Sequence, residues 1–228
     1  FPQESEETWE TTTSSSWNDD TSIRIRSRYF GYELVSHSFT TPELDLSNLS
    51  SARLYFNLAY ALKSNQTDFE GNLYVQDQLV IYTSDDCGET WMPRKTYDVD
   101  DLITVFNEYG NPQTFFNDFI PQGNEENPGD WSQKEFSLNN VAGDEGVIVK
   151  FEFTGIGIDE NGINVGGNWL YIDNIRIGNG EWETLENNIK EIDFDIFPNP
   201  ASQSSYLRFN LEQDQDLKIN IYNLLGEK

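Results

Sequence analysis

Cysteine, histidine and basic side chains are all scarce in this chain of 228 residues: one Cys, one His, and 14 Lys or Arg against 40 Asp or Glu, a formal charge of −26. Each scarcity excludes something. The single thiol, Cys87, leaves no intramolecular disulfide to form, which is unusual in a small secreted eukaryotic domain and ordinary in bacterial exported proteins. The single imidazole, His37, rules out a histidine-rich zinc site built from this chain, and V-S-H-S-F reads as an exposed strand position. No H-E-x-x-H, G-x-S-x-G or phosphate-binding glycine loop occurs. A pI near 4.1 excludes the attraction to phosphate that non-specific nucleic-acid binding needs, and it argues against anionic membrane surfaces. No run of about 18 apolar residues exists that could span a bilayer as a helix. The start, F-P-Q-E-S-E-E-T-W, has no basic residue, apolar stretch or small-residue cleavage site, as expected of a processed chain or a piece of a longer one.

What the chain has is rings. Aromatics make up 14% of it, with 6 Trp, 11 Tyr and 15 Phe, too many for a disordered acidic tail. Apolar and polar residues alternate with a period of two, the signature of strands with one buried face. Ile23 and Ile25 alternate with Arg24 and Arg26; Leu54, Phe56, Leu58 and Tyr60 share a face. So do Leu79 and Ile81, then Val147, Val149, Phe151 and Phe153, and finally Tyr171, Ile175 and Ile177. Several short strands with polar turns predict an all-β chain: a jelly-roll β-sandwich over residues 1–178, a linker over 179–191, and a small, incomplete C-terminal β-sandwich over 192–228. The connections at 61–76 and 97–130 are long for hairpins, and long ordered loops often carry function.

Two passages resemble known families. D-Q-L-V-I-Y-T-S-D-D-C-G-E-T-W at Asp77–Trp91, W-S-Q-K-E-F-S-L at Trp131–Leu138 and W-L-Y-I-D-N-I-R-I at Trp169–Ile177 follow in that order, after P-E-L-D-L-S-N-L-S-S-A-R-L-Y-F-N-L-A-Y at Pro42–Tyr60. This resembles the MAM-like or choice-of-anchor-J jelly-roll module of bacterial exported proteins, which often follows a pappalysin-type zinc metallopeptidase domain. I-F-P-N-P-A at Ile196–Ala201, then L-K-I-N-I-Y-N-L-L-G-E-K at Leu217–Lys228, is similar to the type A C-terminal sorting domain of type IX secretion, although the family's last strands would follow Lys228. The second resemblance implies export across the outer membrane of a Gram-negative bacterium, with a secreted or cell-surface destination. It also implies two partners, the type IX machinery and a catalytic domain upstream on the same polypeptide.

The expected role is therefore that of a non-catalytic accessory and secretion-sorting segment, with a carbohydrate- or protein-binding adhesin module as the alternative. For the alternative, the rings of the long loop, Phe115, Phe116 and Trp131, are the candidate ligand contacts. Two acids are the candidate metal ligands. Strict alternation puts Asp173 on the face of Ile175 and Ile177, and Asp77 in phase with Leu79 and Ile81. A buried carboxylate needs a cation or a set of hydrogen-bond donors. A structural Ca²⁺ is one possibility, supported by the calcium that related jelly rolls carry; backbone N–H groups are the other. Asp159–Asn164, D-E-N-G-I-N, reads as a glycine-centred turn, and Asp85–Gly88 as a hairpin turn.

Overall fold

The computed structural model describes residues 8–18, 20–27, 34–63, 77–155 and 166–179, together with the backbone of two strands further on. The chain divides into two compact units, Phe1–Glu181 and Trp182–Lys228. In the first unit the strands are β1 (Glu10–Thr12), β2 (Ser22–Ile25), β3 (Val35–Thr40), β4 (Arg53–Tyr60), β5 (Leu62–Lys63), β6 (Gln78–Ser84) and β7 (Met92–Tyr97). A single helical turn, α1 (Val99–Leu102), is capped by the Asp98 carboxylate on the Asp101 N–H; then come β8 (Thr114–Phe115), β9 (Ser132–Ser137), β10 (Ile148–Gly155) and β11 (Leu170–Gly178).

The strands form an all-β sandwich. One sheet runs β1-β2-β11-β4-β9 and the other β3-β10-β6-β7, with every pairing antiparallel. Alternation predicts the inward faces well. Leu54, Phe56, Leu58 and Tyr60 of β4 meet Leu79 and Ile81 of β6 and Val149, Phe151 and Phe153 of β10, all fully buried. Rings organise this core: Phe39 stacks on Phe151 at 4.8 Å, and Phe56 meets the same ring edge-on at 5.5 Å. No helix among the described residues is long and apolar enough to cross a membrane.

A second cluster lies on the outer face of the five-stranded sheet. Ala59, Ala61 and Tyr171 pack there with Val105, Phe119, Trp131 and Trp169, and with the half-buried Trp17 and Phe115. β4 is consequently buried on both faces. Much of this cover comes from the long connection at 97–130 noted above and from Trp131 directly after it, and the connection is bound down at many points. Thr104 N–H donates to Tyr60 C=O (2.9 Å), Phe119 N–H to Asn168 Oδ1 (2.9 Å) and Tyr171 O–H to Phe119 C=O (3.0 Å). Arg26 and Lys63 converge on Asp118 at 2.9 and 3.3 Å.

β11 departs from strict alternation. Asp173 pairs with Asn57 and Arg176 with Tyr55, so Asn174 and Ile175 oppose the single residue Phe56. Asn174 absorbs this bulge at φ 54°. One extra residue flips the faces, so Leu170, Ile172, Ile175 and Ile177 all pack on the inter-sheet core. Tyr171 belongs instead to the outer cluster, and Asp173, two residues on, shares its face. The expectation that Tyr171 and Asp173 lie in phase with Ile175 and Ile177 is therefore corrected. His37 also differs from expectation: it is half-buried opposite Phe153, and its carbonyl accepts the Trp9 Nε1–H at 3.0 Å.

The hairpin turn after β6 is knit by side chains. Gly88 N–H donates to Ser84 Oγ (2.8 Å), and Asp86 accepts from Thr90 N–H (2.9 Å) and Thr90 O–H (2.6 Å). The Ser84 O–H, which donates to Asp86 Oδ1 (2.7 Å), and then the two Thr90 donors hold the half-buried Asp86 carboxyl down at about 2. Gly88 sits at φ 85°, and a Cβ there would meet Trp91 only at ordinary contact distance. Gly88→Ala should therefore cost about 1 kcal/mol, from backbone strain alone. In a thermal melt this is a fall of roughly 2–4 °C for a chain of this size.

In the second unit, β12 (Phe194–Phe197) and β13 (Tyr206–Phe209) pair antiparallel, with Phe194 opposite Phe209. The P-N-P-A and L-K-I-N-I-Y passages, most of the expected linker and D-E-N-G-I-N lie outside the described residues.

Candidate ligand-binding surface

The loop over the outer sheet face presents rings to solvent. Phe106 is 51% exposed, Tyr109 80% and Phe116 82%. A chain burying this many rings gains nothing in stability from leaving three out, and exposed large apolar groups on an anchored loop mark an interaction surface. The loop backbone is ordered by its own bonds. Phe106 bridges Pro112, Gln113 N–H donates to Val105 C=O (2.9 Å), and Asn107 Oδ1 accepts from the N–H groups of Tyr109 and Asn111 (2.9 and 3.1 Å). Short β8 pairs in parallel with β5, and Phe115 packs on Phe119 at 5.1 Å.

Of the three rings singled out from sequence, one is exposed. Phe116 faces solvent, Phe115 is a half-buried anchor, and Trp131 is only 4% exposed. Trp131 is covered edge-on by Trp17 (6.4 Å) and Tyr171 (6.2 Å). Trp169 is likewise covered, with the Arg24 and Arg26 guanidinium groups 3.9 and 4.2 Å from its ring centre.

Buried polar groups lie on the same outer face of the sheet. Asn57, on the outer face of β4, is 1% exposed; its Oδ1 accepts from Asn174 Nδ2 at 2.8 Å, and its own Nδ2 has no partner. Turning the amide over would exchange the two atoms and still leave one buried and unmatched. Trp131 Nε1 is also buried without a partner. Each unmet donor costs about 1–3 kcal/mol unless a water or ligand supplies an acceptor. Asp173, the residue opposite Asn57, accepts from the N–H groups of Trp17 and Asn174, both at 2.6 Å. Sequence reading missed Asn57 and Trp17. The available signal was the lone amide within the otherwise apolar L-Y-F-N-L-A-Y.

Asp77 stands in a different network. It is 1% exposed at one end of the sandwich, where Ser27 O–H donates to Oδ1 and Tyr60 O–H to Oδ2 (2.8 Å). Gly167 N–H donates to Ser27 Oγ (2.8 Å) and helps hold the carboxylate. Burial pushes the Asp77 carboxyl up to about 7, against the pull of these donors. Burial first, and then the neighbouring carboxylate, raise the Tyr60 phenol well above its usual range.

Calcium takes about six to eight oxygen ligands, mostly carboxylates and carbonyls. The described neighbours of Asp77 and Asp173 are instead hydrogen-bond donors, and the two acids belong to separate networks. No group of three or more His, Cys, Asp or Glu that could hold a metal occurs among the described residues.

No family model matches the chain, and no curated protein matches it in sequence. Among solved structures it is similar to TmCBM61 in complex with β-1,4-galactotriose, at 12% identity over 75% of this chain and 81% of that one, with a TM-score of 0.38. The K3 cleaved adhesin domain of Lys-gingipain from Porphyromonas gingivalis is 17% identical over 75% and 90%, with a TM-score of 0.39. CBM27-1 of Caldicellulosiruptor saccharolyticus, in complex with mannohexaose, is 11% identical over 68% and 73%, with a TM-score of 0.34. Overlaps this loose carry no functional weight, and the all-β sandwich stands on the strand order and register of the chain itself.

Proposed function

We infer that this chain is a non-catalytic binding module whose ligand is a neutral glycan, held by the rings of the 103–121 loop. One observation carries the reading: Phe106, Tyr109 and Phe116 stand out from a loop whose base is bolted to the sheet by buried rings and hydrogen bonds. Flat rings on a rigid base suit the C–H faces of sugars, and holding them in place beforehand lowers the ordering cost of binding. Asn107, Asn111, Gln113 and Asn117 intersperse the rings and offer both donors and acceptors to hydroxyls. Charge narrows the choice, because a chain at −26 repels uronates, sulfated glycans and phosphates.

The resemblance of the C-terminal passage supports an exported setting for this module. There it would keep a catalytic neighbour on the same polypeptide close to a polymeric substrate.

Calorimetric titration with mannohexaose, cellohexaose and β-1,4-galactotriose tests the reading, with a sulfated and a uronate polymer as controls. At least one neutral sugar should bind and neither control should. Tyr109→Ala and Phe116→Ala should each weaken binding about tenfold, or about 1.4 kcal/mol. Both should leave the melting temperature unchanged, since neither ring is buried. Binding that ignores both substitutions, or that favours the anionic polymers, would sink the assignment.

A further inference from the structure

We propose that Asn168 is a positioning residue for the ring-bearing loop: its buried amide, together with the Tyr171 hydroxyl, fixes the backbone of residues 117–119 so that the Phe116 ring is set for ligand contact before any ligand arrives. The proposal rests on the glycan reading above and names the groups that prepare that surface. β8 ends at Phe115, and the chain bends at Phe116 and Asn117. Phe115 and Phe119 turn inward and pack on each other at 5.1 Å, while Phe116 is 82% exposed. A ring so exposed takes little direction from packing, so its position is set by the backbone that carries it.

That backbone is gripped by three side chains of one short stretch. Asn168, 1% exposed, accepts the Phe119 N–H at Oδ1 (2.9 Å) and donates from Nδ2 to the Asn117 carbonyl (3.2 Å). The Tyr171 hydroxyl donates to the Phe119 carbonyl (3.0 Å), and the Trp169 indole bonds to Asp118 beside Arg26 and Lys63. The amide has one usable orientation, because Oδ1 also accepts the Trp169 N–H (2.9 Å); turned over, it would set its NH2 against two donors. Asparagine suits the place by chemistry, since an aspartate would bring acceptors alone and an apolar side chain would offer neither group. Asn168 is steadied in turn by its neighbour, where Gly167 N–H donates to Ser27 Oγ (2.8 Å). The grip acts on the stretch behind Phe116 and not on Tyr109, whose turn is closed by Asn107 of the loop itself. Fixing a ring in advance lowers the ordering cost of binding, so losing the grip should give a weaker complex with the same ligand.

The test is calorimetric titration of the full chain with mannohexaose, cellohexaose and β-1,4-galactotriose, for the parent, Asn168→Ser and Tyr171→Phe, beside their melting curves. Tyr171→Phe keeps its ring, and Arg24, another partner of that hydroxyl, keeps Glu10 at 2.7 Å, so this variant decides the matter if Asn168→Ser fails to fold. Either variant should bind about fivefold more weakly at a temperature well below its melting transition. The decisive readout is coupling between sites. Combined with Phe116→Ala, each variant should add little further loss; combined with Tyr109→Ala, the losses should add. A role in folding alone would lower the melting temperature and leave affinity unchanged, or would weaken binding equally in both backgrounds, and either result overturns the proposal. If Phe116→Ala weakens binding while Asn168→Ser and Tyr171→Phe bind as the parent does, the positioning role falls and the glycan reading stands. If binding ignores Phe116→Ala, or if no sugar binds, the positioning role falls together with the part of that reading it serves.

Discussion

Raising the pH from about 4 to about 7 should cost the folded chain about 4 kcal/mol through Asp77 alone. An unfolded carboxyl titrates near 3.8, whereas in the fold this one is pushed up to about 7 by complete burial. Between those values the folded chain holds a proton that the unfolded chain has released, so stability declines as pH rises. The contribution is fully present below about 4, falls across the interval and levels off above about 7. Among the described residues the contacts of Asp77 are hydroxyl and N–H donors, and Arg26 and Lys63 pair with Asp118. The neutral form is readily satisfied, because the hydroxyls of Ser27 and Tyr60 can turn from donors into acceptors.

The other carboxylates of a chain with 40 of them also respond to pH, so the informative quantity is a difference. Asp77→Asn mimics the neutral acid. It should match the parent chain near pH 4 and become progressively more stable than it up to about pH 7. Urea unfolding of both chains at three pH values reads this directly. Parallel stability curves would mean that Asp77 is ionised in the fold without penalty.

Gly167→Ala should be among the most damaging single substitutions, at roughly 3 kcal/mol or more. Here the glycine is required by space and not by backbone angle. A Cβ at this position would collide with Asp77 Oδ2 and with the Tyr60 hydroxyl, both fixed in the buried network. Neither is the loose end of a flexible chain, so relief would require the two sheets to part at this end. Gly155 faces the same difficulty against Ser27 and the other Asp77 oxygen. Gly88→Ala provides the contrast, with an unfavourable φ, open space and a cost of about 1 kcal/mol. A soluble Gly167→Ala chain melting within about 3 °C of the parent would show that this end of the sandwich yields easily.

Much of the architecture was legible from alternation. β4, β6 and β10 each bury the face their sequences mark, because a strand with one apolar side has one way to satisfy it. β11 defeated the same rule. Its pattern through Y-I-D-N-I-R-I is consistent with an unbroken strand, and nothing local announces the extra residue at Asn174. The burial of Asp77 was legible as well, since it stands in phase with Leu79 and Ile81, whereas the identity of its partners was not. Ser27, Tyr60 and Gly167 reach it from 50, 17 and 90 positions away.

The ligand surface was legible as a composition and not as a geometry. A long loop rich in Phe and Tyr between amides is visible in the one-letter string; which rings serve as bolts and which as contacts is not. Phe115 and Phe116 are neighbours of identical chemistry, yet one packs on Phe119 and the other faces solvent, because successive residues of an extended segment point to opposite sides. Trp131, a candidate ligand contact by sequence, is covered by Trp17 and Tyr171.

By itself, then, the amino-acid order determined an all-β chain rich in rings, a strongly acidic charge, and the buried faces of β4, β6 and β10. Those follow from period, composition and charge, which are properties of neighbouring residues. Only the tertiary structure decided the second cluster outside the sheet, the bulge that turns Asp173 outward, and the packing of Trp131 between Trp17 and Tyr171. Each of these depends on which strands pair and in what register, a choice made by long-range packing between residues far apart along the chain.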